Sequence, residues 1–167
     1  MRHQLEEARI VTETQQRALI DARGLISSEM RETLVANMCD KFPQLTEEKA
    51  DRGVGQMLAF LAACDYSGRP LSPSPLVDDF WHAFLLHTKA YREFCQENFS
   101  RFLDHQPGFL DREEHGGGKA LRARTVDAIT LAGYEIDMKF WPELDLASCS
   151  QCHANCSDSP NHPPSRS

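Results

Sequence analysis

Asp78 and His82 stand four residues apart, and His105 follows on the far side of an aromatic-rich stretch. On a helix, residues at that spacing point to one patch. A carboxylate and two imidazoles are a donor set for zinc or ferrous iron, with positions left for water or substrate. His105 must fold back to join them. The same groups could move protons without a metal. The plainer alternative is that Asp78 serves a helix N-terminus and His82 is a solvated surface residue. A second set lies in the tail, which runs Cys149-Ser-Gln-Cys152-His153-Ala-Asn-Cys156, with His162 beyond. Two cysteines separated by two residues chelate a soft ion, and Cys156 with His162 could complete a tetrahedron. Cys-x-x-Cys-His also matches the attachment motif of a c-type haem. Haem attachment follows export, no export signal is seen, and no methionine follows the motif. Without an ion the tail reads as a redox-sensitive thiol cluster.

Helices must position these groups. Leu5 to Arg23 is expected to form a first helix, from Leu5, Ala8, Val11, Ala18 and Leu19, with Gly24 as stop. A second is capped by Ser27 or Ser28 and closed by Pro43, with Met30, Leu34, Val35, Met38 and Phe42 at helical spacing. Thr46 caps a third, whose stripe is Val54, Met57, Leu58 and Leu61. Cys39 and Cys64 read as packing thiols. After Pro73 and Pro75, a fourth helix is expected from Pro75 to about Asn98, capped by Ser74. Its core face would hold Val77, Phe80, Trp81, Phe84, Thr88, Tyr91 and Cys95. At about 100° per residue, Cys95 falls about 140° from His82 and is read as core. His87 reads as packing at the rim. Gln106-Pro107-Gly108 is a break, and Gly116-Gly117-Gly118 a hinge, since no phosphate-loop lysine follows. A fifth helix spans Lys119 to Ala132, with Gly133 as stop. Tyr134, Ile136, Met138 and Phe140 alternate with charged residues, which is strand-like. With no partner strand in sight, the expectation is an extended segment packed on the helices.

The fold class is therefore all-α, a compact bundle of about five helices with a disordered Cys/His-containing tail. The expected division is an N-terminal helix over 1–26, a helical core domain over 27–145 and a flexible tail over 146–167. A chain of 167 residues can bury a sizeable core. The net charge of -7 offers no broad basic face, which argues against nucleic acid. No stretch approaches the roughly 20 apolar residues of a membrane span. The first residues carry no apolar run of a secretory signal, so the expected compartment is the cytoplasm, where thiols stay reduced.

The stretch from Pro73 to Pro107 resembles the uncharacterised glycine-rich domain-containing proteins of bacteria and plants. The shared pattern falls on Pro73, Ser74, Val77, Asp78, Trp81, His82, Thr88, Tyr91, Cys95, Phe99, His105 and Pro107. The resemblance implies a helical domain and singles out Asp78, His82, Cys95 and His105 together. It implies no activity. Two features depart from the pattern: Ser100 replaces the usual glycine after the aromatic, and the tail has cysteines without glycines.

The leading functional expectation is a metal-binding helical protein. Asp78, His82 and His105 would hold zinc or iron in the domain, and Cys149, Cys152, His153 and Cys156 would take a soft ion in the tail. Three other readings compete. One is a non-catalytic module that docks an unidentified protein partner on the His82 face. Another is a metal-dependent enzyme, if the site keeps an open position. The last is the precursor of a modified cysteine-containing peptide.

Overall fold

A computed structural model describes residues 18–106 and 113–143. Five α-helices carry the described fold: α1 Ser28–Lys41, α2 Glu47–Tyr66, α3 Pro75–Leu85, α4 Thr88–Asn98 and α5 Gly117–Leu131. Short 3-10 turns lie at Ala22–Leu25, Glu113–His115 and Met138–Phe140. The fold is all-α, as expected.

The helix starts follow the sequence closely. The hydroxyls of Ser27, Thr46 and Ser74 each accept the backbone N–H three residues on, at 3.2 Å. Each satisfies one of the orphan donors of a helix N-terminus. Pro75 occupies the first turn of α3, where its missing N–H costs nothing. The end of α5 is equally well specified. Gly133 has φ 90°, its N–H reaches the Thr130 carbonyl, and the Tyr134 N–H reaches the Ile129 carbonyl. Those two bonds form a Schellman closure, which needs a residue in the left-handed region.

The organising element is α2. Every residue from Gly53 to Ala63 is buried, which is the pattern of a helix surrounded on all sides. α1, α3, α5 and the first 3-10 turn pack against it. Its small residues let neighbours approach closely: Phe80 of α3 and Phe140 press on Gly53. The aromatic stretch around Trp81 thus packs on this central helix rather than forming the centre itself.

Three expectations need correction. First, Pro75 to Asn98 is two helices. The chain turns at Leu86, which is 83 % exposed, and at His87, whose ψ of 59° leaves the helical region. The break is stabilised by tertiary contacts: His87 Nε2 meets Asn37 Nδ2 of α1 at 2.8 Å. The turn also lets Tyr91 swing back onto Trp81. Thr88 is exposed rather than on the core face, Phe94 is buried, and an angle between His82 and Cys95 along one helix has no meaning. Second, residues 18–26 hold no α-helix. Ile20 pairs with Tyr134 in a single parallel bridge, and Asp21 caps the 3-10 turn that follows. Its carboxylate and that of Asp51 hold Arg23, and Asp51 also holds Arg31. The rest of the expected first helix, residues 5–17, lies outside the described residues. Third, the strand-like alternation over 134–140 stops early: Met138–Phe140 is a 3-10 turn with Met138 exposed, and it leads directly into Trp141. Trp141 is buried, and its indole N–H donates to Gln56 Oε1 on α2 at 2.9 Å.

Residues 134–137 are extended and packed on the helices, as expected, with the Ile20 bridge as their one pairing among the described residues. The cysteines at 39 and 64 pack against the core, and Cys95 is buried.

Candidate metal centre

Asp78 and His82 project from consecutive turns of α3. Ser74 fixes that helix's start, and buried Thr125 of α5 fixes the approach to it by bonding both the N–H and the carbonyl of Ser72. His105 arrives from the segment after α4. That segment has no regular structure and runs back across the molecule. Near its beginning Ser100 bonds Asp65 at 3.0 Å, and Arg101 donates to the Cys64 carbonyl at 2.9 Å. Leu103 is buried. Two residues later His105 Nε2 lies 2.9 Å from Asp78 Oδ1.

The second carboxylate oxygen of Asp78 is 3.6 Å from His82 Nδ1, so the carboxylate straddles both imidazoles. The two rings lie with centroids 4.5 Å apart. One ligand atom from each residue falls within 4.8 Å of the others. A tetrahedral ion with bonds of about 2.0–2.2 Å separates its ligand atoms by roughly 3.3–3.5 Å. The ligand atoms therefore need to close up by at most about 1.5 Å to grip one ion. Among the described residues it is the one cluster of three such side chains. His105 is the most enclosed, with its side chain 11 % exposed against 38 % for His82. The opening therefore lies on the His82 side.

The electrostatics suit a neutral donor. Partial burial lowers the His82 pKa below its ordinary value, and the neighbouring His105 adds to this, while Asp78 pulls the other way. A neutral imidazole is the form that ligates. Lys41 closes the neighbourhood from α1, paired with Asp79 at 2.6 Å.

Trp81 and Tyr91, which the sequence marks only as core residues, support the site. Trp81 packs edge-on against His105 with centroids 4.4 Å apart. Its indole N–H donates to the Tyr91 hydroxyl at 3.0 Å, and that hydroxyl donates to the Leu103 carbonyl at 2.7 Å. The available signal was chemical: a buried tyrosine hydroxyl and indole N–H both need partners. Cys95, which the resemblance groups with the three donors, is buried in the core and is not part of the cluster. Its thiol packs one turn after Tyr91. Cys149, Cys152, His153, Cys156 and His162 lie outside the described residues.

Residues 15–128 match the UCP032817-like family along one continuous run. The chain belongs to this family. The family is uncharacterised, and the matched run contains Asp78, His82 and His105 together with α1 to α4 and most of α5. No curated protein and no solved structure matches the chain. No helix of the described residues is long and apolar enough to cross a membrane.

Proposed function

We propose that this UCP032817-like protein binds a divalent metal ion, zinc or ferrous iron, through Asp78, His82 and His105. The observation that carries the reading is convergence. A histidine twenty-three residues beyond His82, on a segment without regular structure, returns to place its Nε2 2.9 Å from the Asp78 carboxylate. Two imidazoles and one carboxylate leave at least one coordination position for water or substrate on the His82 side. The site is thus compatible with a metal-dependent reaction, and no reaction is assigned. We place the protein in the cytoplasm, where Cys149, Cys152 and Cys156 would stay reduced and, with His153, would offer a second, softer site. We also read the chain as a relative of the glycine-rich domain-containing proteins, because the pattern over 73–107 includes all three donors.

The test is a titration of zinc, and of ferrous iron under anaerobic conditions, onto full-length protein. The tail donors are removed by Cys149→Ser, Cys152→Ser, His153→Ala and Cys156→Ser. One equivalent should bind, and His82→Ala with His105→Ala should abolish it while the helical signal stays. Equal binding with and without the two histidines would sink the reading.

A second reading is favoured by Leu86, which is 83 % exposed one turn after His82. It takes the His82 face as a docking surface for a protein partner, with the Asp78–His105 hydrogen bond as a structural clasp. Absence of metal binding in the same titration would favour it.

A further inference from the structure

His105 is held by no helix, and the nearest interior anchor upstream of it is the Leu103 carbonyl. That carbonyl accepts the Tyr91 hydroxyl at 2.7 Å. The same hydroxyl accepts the Trp81 N–H at 3.0 Å, and the Trp81 ring rests against His105. The bonds from Ser100 and Arg101 lie five and four residues from His105 and are exposed. Two residues span at most about 7 Å of chain, so a pin at Leu103 limits where His105 can travel.

We propose that Tyr91 is the positioning residue of the metal centre: its hydroxyl ties α3 and the 99–106 segment together and presents His105 to Asp78 and His82. The proposal rests on the metal-binding reading for its functional meaning, but its geometry can be tested without metal. The tyrosine ring itself is a packing element, in edge or tilted contact with Phe84, Phe94 and Phe102. Phenylalanine at 91 keeps those contacts and removes only the link. Two buried groups, the Trp81 N–H and the Leu103 carbonyl, then lose their shared partner. Groups that orient a ligand rather than bind the ion typically contribute about 10- to 100-fold in metal affinity.

The experiment compares full-length wild type, Tyr91→Phe and Gln56→Leu. Gln56 is likewise a buried polar link, tying α2 to Glu135, Asp137 and Trp141 and bonding neither α3 nor the 99–106 segment, so its loss controls for stability alone. Zinc affinity should fall about 10- to 100-fold in Tyr91→Phe and stay unchanged in Gln56→Leu. Proton NMR of the metal-free proteins gives an independent readout. The His105 ring protons, shifted by Trp81, should move toward the values of an unstructured histidine in Tyr91→Phe only. If wild type binds zinc and Tyr91→Phe binds it equally with unmoved His105 signals, the positioning role is overturned and the metal reading stands. If wild type binds nothing, the metal reading fails, and the metal-free His105 shift still decides the positioning. Should Tyr91→Phe not fold, wild type made with 3-fluorotyrosine replaces it. Zinc should then move the fluorine resonance of Tyr91 and not those of Tyr66 and Tyr134, and a silent Tyr91 resonance would overturn the role.

Discussion

Gly53→Ala should destabilise the protein although it removes a glycine from a helix interior. In an exposed helix that change gains about 1 kcal/mol. At position 53 the added methyl would meet Phe140 at 2.9 Å and come closer still to two atoms of the Phe80 ring. Carbon atoms pack best at about 3.5–4.0 Å, so Phe140 would have to retreat by roughly 0.6–1.1 Å and Phe80 by more. Both rings are buried, at 1 % and 0 % exposure, and have no open side to move into. Overpacking of this kind costs about 1–3 kcal/mol, and two blocked rings place it at the upper end. The net effect is a loss of about 2 kcal/mol, or about 4–8 °C in melting temperature for a chain of this size. Phe80 sits two residues after Asp78, so the displacement also shifts α3 against His105, and zinc affinity should fall with stability. Thermal and urea unfolding of the metal-free protein measure the first effect. A melting temperature equal to or above wild type would refute the close approach of α3 to α2.

The other expectations concern caps, protons and thiols. Gly118→Ala, in the first turn of α5 with open space around the new methyl, should stabilise by up to about 1 kcal/mol in the same unfolding assay. Ser74→Ala should cost about 1 kcal/mol or more, because a buried cap is lost, and it should weaken zinc binding through the first turn of α3. The lowered His82 pKa means the unfolded chain takes up this proton before the folded one. Metal-free wild type should therefore lose stability relative to His82→Ala as pH falls below about 6.5, with a constant difference above it. Burial pushes the Cys64 thiol from 9.0 to about 12, which cuts its thiolate about a thousandfold. Peptide mass spectrometry after alkylation should find Cys64 protected in the folded protein and labelled after denaturation.

The helix starts were legible because each depends on residues adjacent in the chain. Ser27, Thr46, Ser74 with Pro75, and Gly133 act within one turn of where they stand. The break at Leu86-His87 was not legible, since no glycine or proline marks it. It is selected by contacts distant in sequence, His87 with Asn37 and Tyr91 with Trp81. The helical reading of residues 18–23 failed for a related reason: Ile20 gains two backbone hydrogen bonds from Gly133 and Glu135, which no local pattern reveals. At the site, residue types and the four-residue spacing were enough to nominate Asp78, His82 and His105. That His105 returns to within hydrogen-bonding distance depends on the Tyr91–Leu103 link, and hydrophobic periodicity does not distinguish a tyrosine hydroxyl that bridges two segments from one that only packs. Trp141 was hidden in the same way, because its place in the core depends on a glutamine 85 residues earlier.

The most direct test of the metal centre is X-ray absorption at the metal edge on full-length protein purified without chelator. The account predicts about one equivalent of zinc or iron that keeps a shell of nitrogen and oxygen at about 2.0–2.2 Å, with imidazole scattering, when the tail cysteines are replaced by serine. An absence of metal would contradict it. So would a sulfur shell at about 2.3 Å that disappears with those cysteines and leaves no ion behind.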